Sequence, residues 1–294
     1  VKPNTDHFRE NAGEEALRIV ISLLGTISIH KMQYPIIRKS LLAWLLLPFA
    51  CTNESPNPTP VETIVRVKSV ETTGTSWTSR EDYTYNEQGQ LTAINWKRQT
   101  PYETVGSEEY FYNNTGQLSH IIKKITGLVP EEVQYKYMED QLIATFSMVN
   151  GKKVAYQIYE YDDEGRLDLV EFYSYNSDAN GYDRKGEHHY SYFSDGNVKE
   201  IQKFDFLPEQ AELIWNSTKA FTSYLEGSHP ISPYAEVPGI NTQHKLPNGY
   251  ELRYPSTTYP YSFTYQLRPD GYPVERRATY NDGSVEMTVY TYAR

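Results

Sequence analysis

YEYDDEGRL, Tyr159 to Leu167, is the stretch that decides how this chain is read. Two tyrosines stand two residues apart, polar residues lead to a glycine, and a leucine follows. Residues i and i+2 of a strand share a face, so Tyr159 and Tyr161 project together. Glycine accepts the positive φ of a tight turn, and the leucine opens a returning strand. The phrase predicts a β-hairpin.

Variants recur as YTYNEQGQL (83–91), YFYNNTGQL (110–118) and YSYFSDGNV (190–198), and a shortened copy, YKYMEDQL (135–142), lacks the glycine. The leading tyrosines are Tyr83, Tyr110, Tyr135, Tyr159 and Tyr190, so the gaps are 27, 25, 24 and 31 residues. Spacing in this range marks a repeated supersecondary unit. FTYQLRPDGYPV (263–274) and ATYNDGSVEMTVYTY (278–292) continue the theme with other turns. The expected fold is all-β: an antiparallel meander of hairpins with roughly ten to fourteen strands, forming a strongly curved sheet or an open or partial barrel.

The composition agrees. Of 294 residues 27 are tyrosine, which favours strands because its ring packs on a pleated surface while its hydroxyl reaches a polar partner. The segment from Phe204 to Pro260, with SHPISPYAEVPGI (228–240), breaks the repeat and reads as an irregular insertion or cap near 204–260. A membrane-spanning barrel is the rival architecture, and it needs an outward apolar band. The residues between the paired tyrosines are Thr84, Phe111, Lys136, Glu160 and Ser191, which are mostly polar.

Net charge is −10, and the part beyond residue 50 carries −12. An acidic body disfavours nucleic acid as a partner. The single cysteine, Cys51, permits no intramolecular disulfide and no Cys-rich zinc site.

Residues 32–50 read MQYPIIRKSLLAWLLLPFA. A basic Arg38–Lys39 pair precedes an apolar run too short to span a bilayer but suited to a signal peptide. Small Ala50 then precedes Cys51, and TNESPNPTP (52–60) reads as a flexible tether. The order resembles a bacterial lipoprotein signal, with Pro48 where that pattern usually has leucine. The resemblance implies that Cys51 is acylated and that the membrane is reached through this N-terminal anchor. The expected organisation is an upstream extension (1–31) outside the native protein, a signal peptide (32–50), acylated Cys51 with its tether (51–62), and one hairpin-repeat domain (63–294).

The repeat resembles the YD (RHS-type) unit, Tyr-x-Tyr-Asp-x-x-Gly-Arg-Leu, which Tyr159–Leu167 alone matches in full. The layout from Cys51 to the end is also similar to a family of Gram-negative, gut-type envelope lipoproteins of unknown function. That resemblance implies a lipid-anchored β protein of the outer membrane, facing periplasm or cell surface, with a porin-like fold and no established activity.

No catalytic motif is present. His188 and His189 are adjacent, so on a strand they face opposite ways and do not chelate together. Asp162, Asp163 and Glu164 sit in a predicted turn, where acidic residues are common. No cofactor or metal is expected. The aromatic residues Tyr83, Tyr85, Trp96, Tyr110, Tyr112, Tyr159, Tyr161, Tyr190 and Tyr192 form a candidate platform for a glycan or an envelope protein, unless the same rings make the core of the sheet. The functional expectation is a non-enzymatic binding module. The alternatives are a glycan hydrolase with unrecognised carboxylates and a purely structural assembly partner.

Overall fold

The computed structural model describes residues 65–293, except 231–236 and 241. Its strands are β1 (Val67–Thr73), β2 (Thr78–Tyr85), β3 (Leu91–Gln99), β4 (Glu103–Tyr112), β5 (Leu118–Ile125), β6 (Glu131–Met138), β7 (Gln141–Val149) and β8 (Lys152–Tyr161). They continue as β9 (Leu167–Asn176), β10 (Gly181–Tyr192), β11 (Val198–Leu207), β12 (Glu212–Ser228), β13 (Lys245–Tyr254), β14 (Thr257–Leu267), β15 (Pro273–Tyr280) and β16 (Val285–Tyr292). Each pairs antiparallel with its neighbours in sequence, and β1 also pairs with β16, so the sheet is a closed barrel.

The expectation of a curved sheet or an open or partial barrel is corrected by this closure. Thr73 to Val67 lies in register with Met287 to Tyr292, which removes both sheet edges. The sixteen strands also exceed the ten to fourteen expected. The additional strands come from 204–260, which was expected to be irregular and instead holds β12, β13 and the start of β14. Pro247 and Pro260 lie inside β13 and β14, although proline more often marks the end of a strand. Cys51, the signal, the tether and the upstream extension lie outside the described residues.

The repeated phrase has a common local geometry. Gly89, Gly116, Gly165 and Gly196 take φ of 84°, 84°, 75° and 83°. Each donates its N–H back to the first turn residue, as Gly165 does to Asp162 at 2.9 Å. The pairing register shifts by one residue beside each turn, between Glu160 and Tyr161 for example. A turn closed by left-handed glycine and followed by a bulge is the glycine-bulge hairpin. The Asp162 carboxylate accepts from the backbone N–H groups of Glu164 and Arg166, so this acid belongs to the turn. In the shortened copy Glu139 takes the left-handed conformation, with φ of 56°.

The bulge interrupts the strand ladder, and the second tyrosine supplies a partner there. The hydroxyl of Tyr112 donates to the Leu91 carbonyl at 2.8 Å, Tyr161 to Leu142 at 2.8 Å, and Tyr192 to Leu167 at 2.7 Å. Tyr224 and Tyr292 do the same for Val198 and Pro273. These five tyrosines thereby fasten their strands to the opening of an earlier hairpin. The first tyrosines turn back along their own strand: Tyr83 and Tyr110 donate to Glu81 and Glu108, and Tyr159 to Gln157.

The tyrosine pairs and the leucines that follow them face the same way. Leu91, Leu118, Leu142, Leu167 and Val198 are at most 4% exposed and share one cluster with Tyr83, Tyr110, Tyr135, Tyr159 and Tyr190. A single closed sheet has only its interior in which to bury such a face, so this is the inner wall.

The alternate residues form the outer wall, and it is charged. Glu71, Arg80 and Asp82 cluster, Lys124 pairs with Glu109, Arg184 bridges Glu171 and Glu187, and Arg253 bridges Glu200 and Glu251. An aromatic patch interrupts it on β7–β10, where Tyr156 stacks on Tyr173 at 4.5 Å and Lys153 lies 4.2 Å from the Phe146 ring centre.

Removing one ladder hydroxyl while keeping the ring tests this account. Tyr192→Phe should lower unfolding free energy by about 1 kcal/mol in urea, and Tyr102→Phe, in an exposed connection, should leave it unchanged within about 0.5 kcal/mol. Equal effects of the two variants would show that the hydroxyl-to-carbonyl bonds do not stabilise the barrel.

Candidate functional site

The described residues 237–240 and 242–244, between β12 and β13, form a plug at the end of the barrel that carries the glycine turns. Asn197, which is fully buried, holds the loop's return: its side-chain oxygen accepts from the N–H groups of His244 and Lys245 at 2.9 and 3.0 Å. Val198 donates its N–H to the Thr242 carbonyl. Val237 and Ile240 pack against the inner cluster. A Cβ on Gly239 would lie 3.5 Å from the Tyr137 hydroxyl. Tyr137 is on β6, six strands round the ring from β12, so the loop reaches the far wall.

Two cavities lie beside this plug. The first, about 420 Å³, is bounded by Tyr137, Tyr161 and Tyr192 on the wall and by Gly239, Ile240 and His244 on the loop. The second, about 330 Å³, lies against β12–β16. Both volumes fall in the range of small-ligand pockets.

The second cavity has the richer chemistry. Tyr250 stacks on Tyr261 at 4.5 Å and meets Phe221 and Phe263 edge-on at 6.0 and 5.5 Å. Tyr261 meets Tyr280 edge-on at 5.0 Å. Pairing sets Phe221, Tyr250, Tyr261 and Tyr280 in one row across β12–β15, and Phe263 follows Tyr261 by two residues on the same face of β14. Lys219 lies 5.0 and 5.1 Å from the ring centres of Phe221 and Tyr250, and Arg276 lies 5.1 Å from that of Phe263. Glu286 accepts from Arg276 at 2.8 Å and from the Tyr280 hydroxyl at 2.7 Å. Burial, then the adjoining Glu286 carboxylate, pushes the Tyr280 hydroxyl above its ordinary range. Aromatic faces, cations and hydroxyls around one space can bind a ring that is apolar on its faces and polar at its edges.

The residues expected to form a platform are placed differently. Tyr83, Tyr110, Tyr159 and Tyr190 are 8%, 4%, 5% and 8% exposed, in the core. Tyr85, Tyr112, Tyr161 and Tyr192 are half-buried beside them. Of these, only Tyr161 and Tyr192 border a cavity described above. Trp96 lies on the backbone of Gly106, where a Cβ would come within 2.3 Å of the indole. The nine residues therefore serve the inner wall more than an open stacking surface. His188 points inward, tilted against Phe172, while His189 contacts Glu187 outside, and no metal-holding cluster occurs among the described residues.

Lys219 and Tyr250 were missed because they lie in the segment set aside as irregular, and Tyr261, Arg276, Tyr280 and Glu286 because the stretches beyond it were read only for their turns. The alternating runs YELRY (250–254) and YSFTY (261–265) carried the signal.

No family model matches the chain, and no curated protein does. Among solved structures it is similar to a porin-like protein from Bacteroides uniformis, with 13% identity and a TM-score of 0.53, covering 77% of this chain and 98% of that one. A porin-like protein from Bacteroides vulgatus is also similar, with 13% identity and a TM-score of 0.41, covering 78% of this chain and 99% of that one. The first likeness shows the fold: an all-β antiparallel meander closed as a barrel.

The tyrosines make the fold sensitive to alkali. Burial pushes the hydroxyls of Tyr137 and Tyr159 up to about 12, and burial with the nearby Glu81 and Glu108 carboxylates raises Tyr83 and Tyr110 further. The unfolded chain loses these protons from about pH 10. The folded chain keeps them, so stability is full below that pH and falls as pH rises through it. Thermal melts from about pH 9 to about pH 11 should show a falling Tm, with tyrosinate absorbance from the core appearing together with unfolding. Complete tyrosinate formation with native circular dichroism would contradict the buried placement.

Proposed function

We propose that this chain is a lipid-anchored envelope protein whose barrel stands clear of the membrane hydrocarbon and binds a glycan on its inner wall without catalysis. The charged outer wall is the observation that carries the reading. A spanning barrel needs an apolar band of about 25 Å facing lipid. Here that face presents Arg80, Asp82, Lys124, Arg184, Glu187 and Arg253 in ion pairs, on strands all round the ring. Moving them into hydrocarbon would cost several kcal/mol each.

The anchor therefore falls to Cys51 and its tether, and the barrel is the domain that the tether carries. The inner wall carries the larger share of the aromatic side chains and borders both cavities. The aromatic pocket holds one carboxylate, Glu286, already engaged by Arg276 and Tyr280. Glycoside hydrolysis by the usual route needs two, so binding accounts for this pocket better than turnover.

The test compares the full chain with Cys51→Ala, both expressed in a Gram-negative host. The native protein should remain with membranes after an alkaline carbonate wash, and Cys51→Ala should appear folded in the soluble fraction. Neither should give conductance steps in planar bilayers. Carbonate-resistant Cys51→Ala, or stepwise conductance, would show that the barrel itself enters the membrane.

A further inference from the structure

The two ends of the barrel differ in what they expose. Val67 opens β1 at the end that carries the glycine turns, so the connections that follow odd-numbered strands lie at the opposite end. There Tyr102, between β3 and β4, and Leu128 and Val129, between β5 and β6, are 81%, 64% and 55% exposed. They are the three most exposed large apolar side chains among the described residues. Thr126 donates its N–H to the Val105 carbonyl at 3.0 Å, which sets the two connections side by side. Val105 and Ile125, just behind the tips, are exposed as well. A grouped apolar surface of this kind marks a contact site.

Charge follows the same side of the rim. The β3–β4, β5–β6 and β7–β8 connections with their strand ends, residues 97–105, 123–133 and 147–154, hold six bases: Lys97, Arg98, Lys123, Lys124, Lys152 and Lys153. Their acids are Glu103, Glu131 and Glu132. The β9–β16 side of the rim, residues 174–183, 205–214, 252–259 and 278–287, holds one base, Arg253, and seven acids. The basic side belongs to a protein of net charge −10. The aromatic patch of the outer wall adjoins it, since Lys153 lies 4.2 and 5.9 Å from the ring centres of Phe146 and Tyr182.

Apolar tips with bases behind them and tyrosines beside them fit a bilayer surface, where the tips enter the headgroup layer and the bases meet phosphates. A soluble anion would leave the tips in water. A second copy docked symmetrically would set basic side against basic side. Val67 stands sixteen residues after Cys51, and a chain of that length spans at most about 50 Å. A ten-residue strand such as β4 rises only about 33 Å. A barrel tethered at its plug end can still set its far rim against the same membrane.

We propose that the β3–β8 side of this rim docks on a phospholipid bilayer bearing anionic headgroups, with Tyr102, Leu128 and Val129 in the headgroup layer. The contact is peripheral and goes beyond the function proposed above, using its anchor only for reach.

Cys51→Ala leaves the full chain without cysteine, so a single Leu128→Cys carrying an environment-sensitive dye reports on the tip alone. The probes are vesicles of phosphatidylcholine, pure or with about one third phosphatidylglycerol. Emission should shift to the blue with the anionic vesicles, stay put with the neutral ones, and revert in about 0.5 M salt. The same dye on Glu87→Cys, in an exposed glycine turn at the other end, should not shift. Adding Arg98→Gln and Lys152→Gln should raise the lipid concentration for half the shift about tenfold, with the melting temperature unchanged. No shift at position 128, an equal shift at position 87, or indifference to Arg98→Gln and Lys152→Gln overturns the proposal. A blue shift without lipid, together with a dimer in light scattering, overturns it in favour of a second copy. None of these outcomes bears on glycan binding or on acylation of Cys51.

Discussion

A sheet closed on itself has one side that can be dry, and everything else in this barrel follows from that constraint. No helix or second sheet covers the outer wall among the described residues, so the leucine and tyrosine cluster that forms the core is turned inward. Tyrosine suits the task because it is long enough to fill space behind the leucine ring. It also carries a hydroxyl that must find a partner when buried. The structure meets that demand in two ways. Tyr83, Tyr110 and Tyr159, first in their pairs, use a carboxylate or amide two residues back on the same face, and Tyr112, Tyr161 and Tyr192, second in theirs, use a carbonyl of an earlier hairpin. The first bond stays within one strand. The second ties successive units together, so the sequence repeat is a repeat of fastening as well as of shape.

The same constraint explains why the repeat breaks where it does. Identical hairpins all round would leave the turn end open. Between β12 and β13 the chain departs from the hairpin pattern, sends Val237 and Ile240 to the inner cluster, and returns under the control of Asn197. The neighbouring strands then carry Phe221, Tyr250, Tyr261 and Phe263, where the regular units carry a leucine and a tyrosine pair. Lys219 and Arg276 lie among those rings rather than outside with the other ion pairs. The chemistry that differs from the repeat is thus concentrated where the architecture differs from it.

How much of this was legible depends on whether a signal is local. The hairpin was legible because Tyr159, Tyr161, Gly165 and Leu167 each have a local reason to be there, and the strands and turns confirm it. The turn role of Asp162 and the opposite facing of His188 and His189 were legible for the same reason. Closure was not, because the pairing of Val67 with Tyr292 joins residues at opposite ends of the domain. The fate of the tyrosine pairs was only half legible: period two says that Tyr83 and Tyr85 share a face but not that the face is inside. The pocket was hidden by prolines. SHPISPYAEVPGI (228–240) led the whole of Phe204 to Pro260 to be read as irregular, yet β12 and β13 run through that segment, and Lys219, Phe221 and Tyr250 were discounted with it.

Strand number and topology alone do not say what solvent a barrel wall faces. A sixteen-stranded barrel in a bilayer keeps polar groups inside around water and apolar groups outside against lipid. Here the polarity is reversed: leucine and tyrosine face in, and Arg80, Lys124, Arg184 and Arg253 face out in ion pairs. The backbone can be the same in both because strand pairing is satisfied by closure, whatever the side chains meet. What differs is the alternation phase, a shift of one residue that sends each side chain to the other wall. That phase can be read at Thr84, Phe111, Lys136, Glu160 and Ser191, the residues between the tyrosines, four of which are polar. Those five positions carry more information about where the barrel resides than its likeness to any porin-like structure.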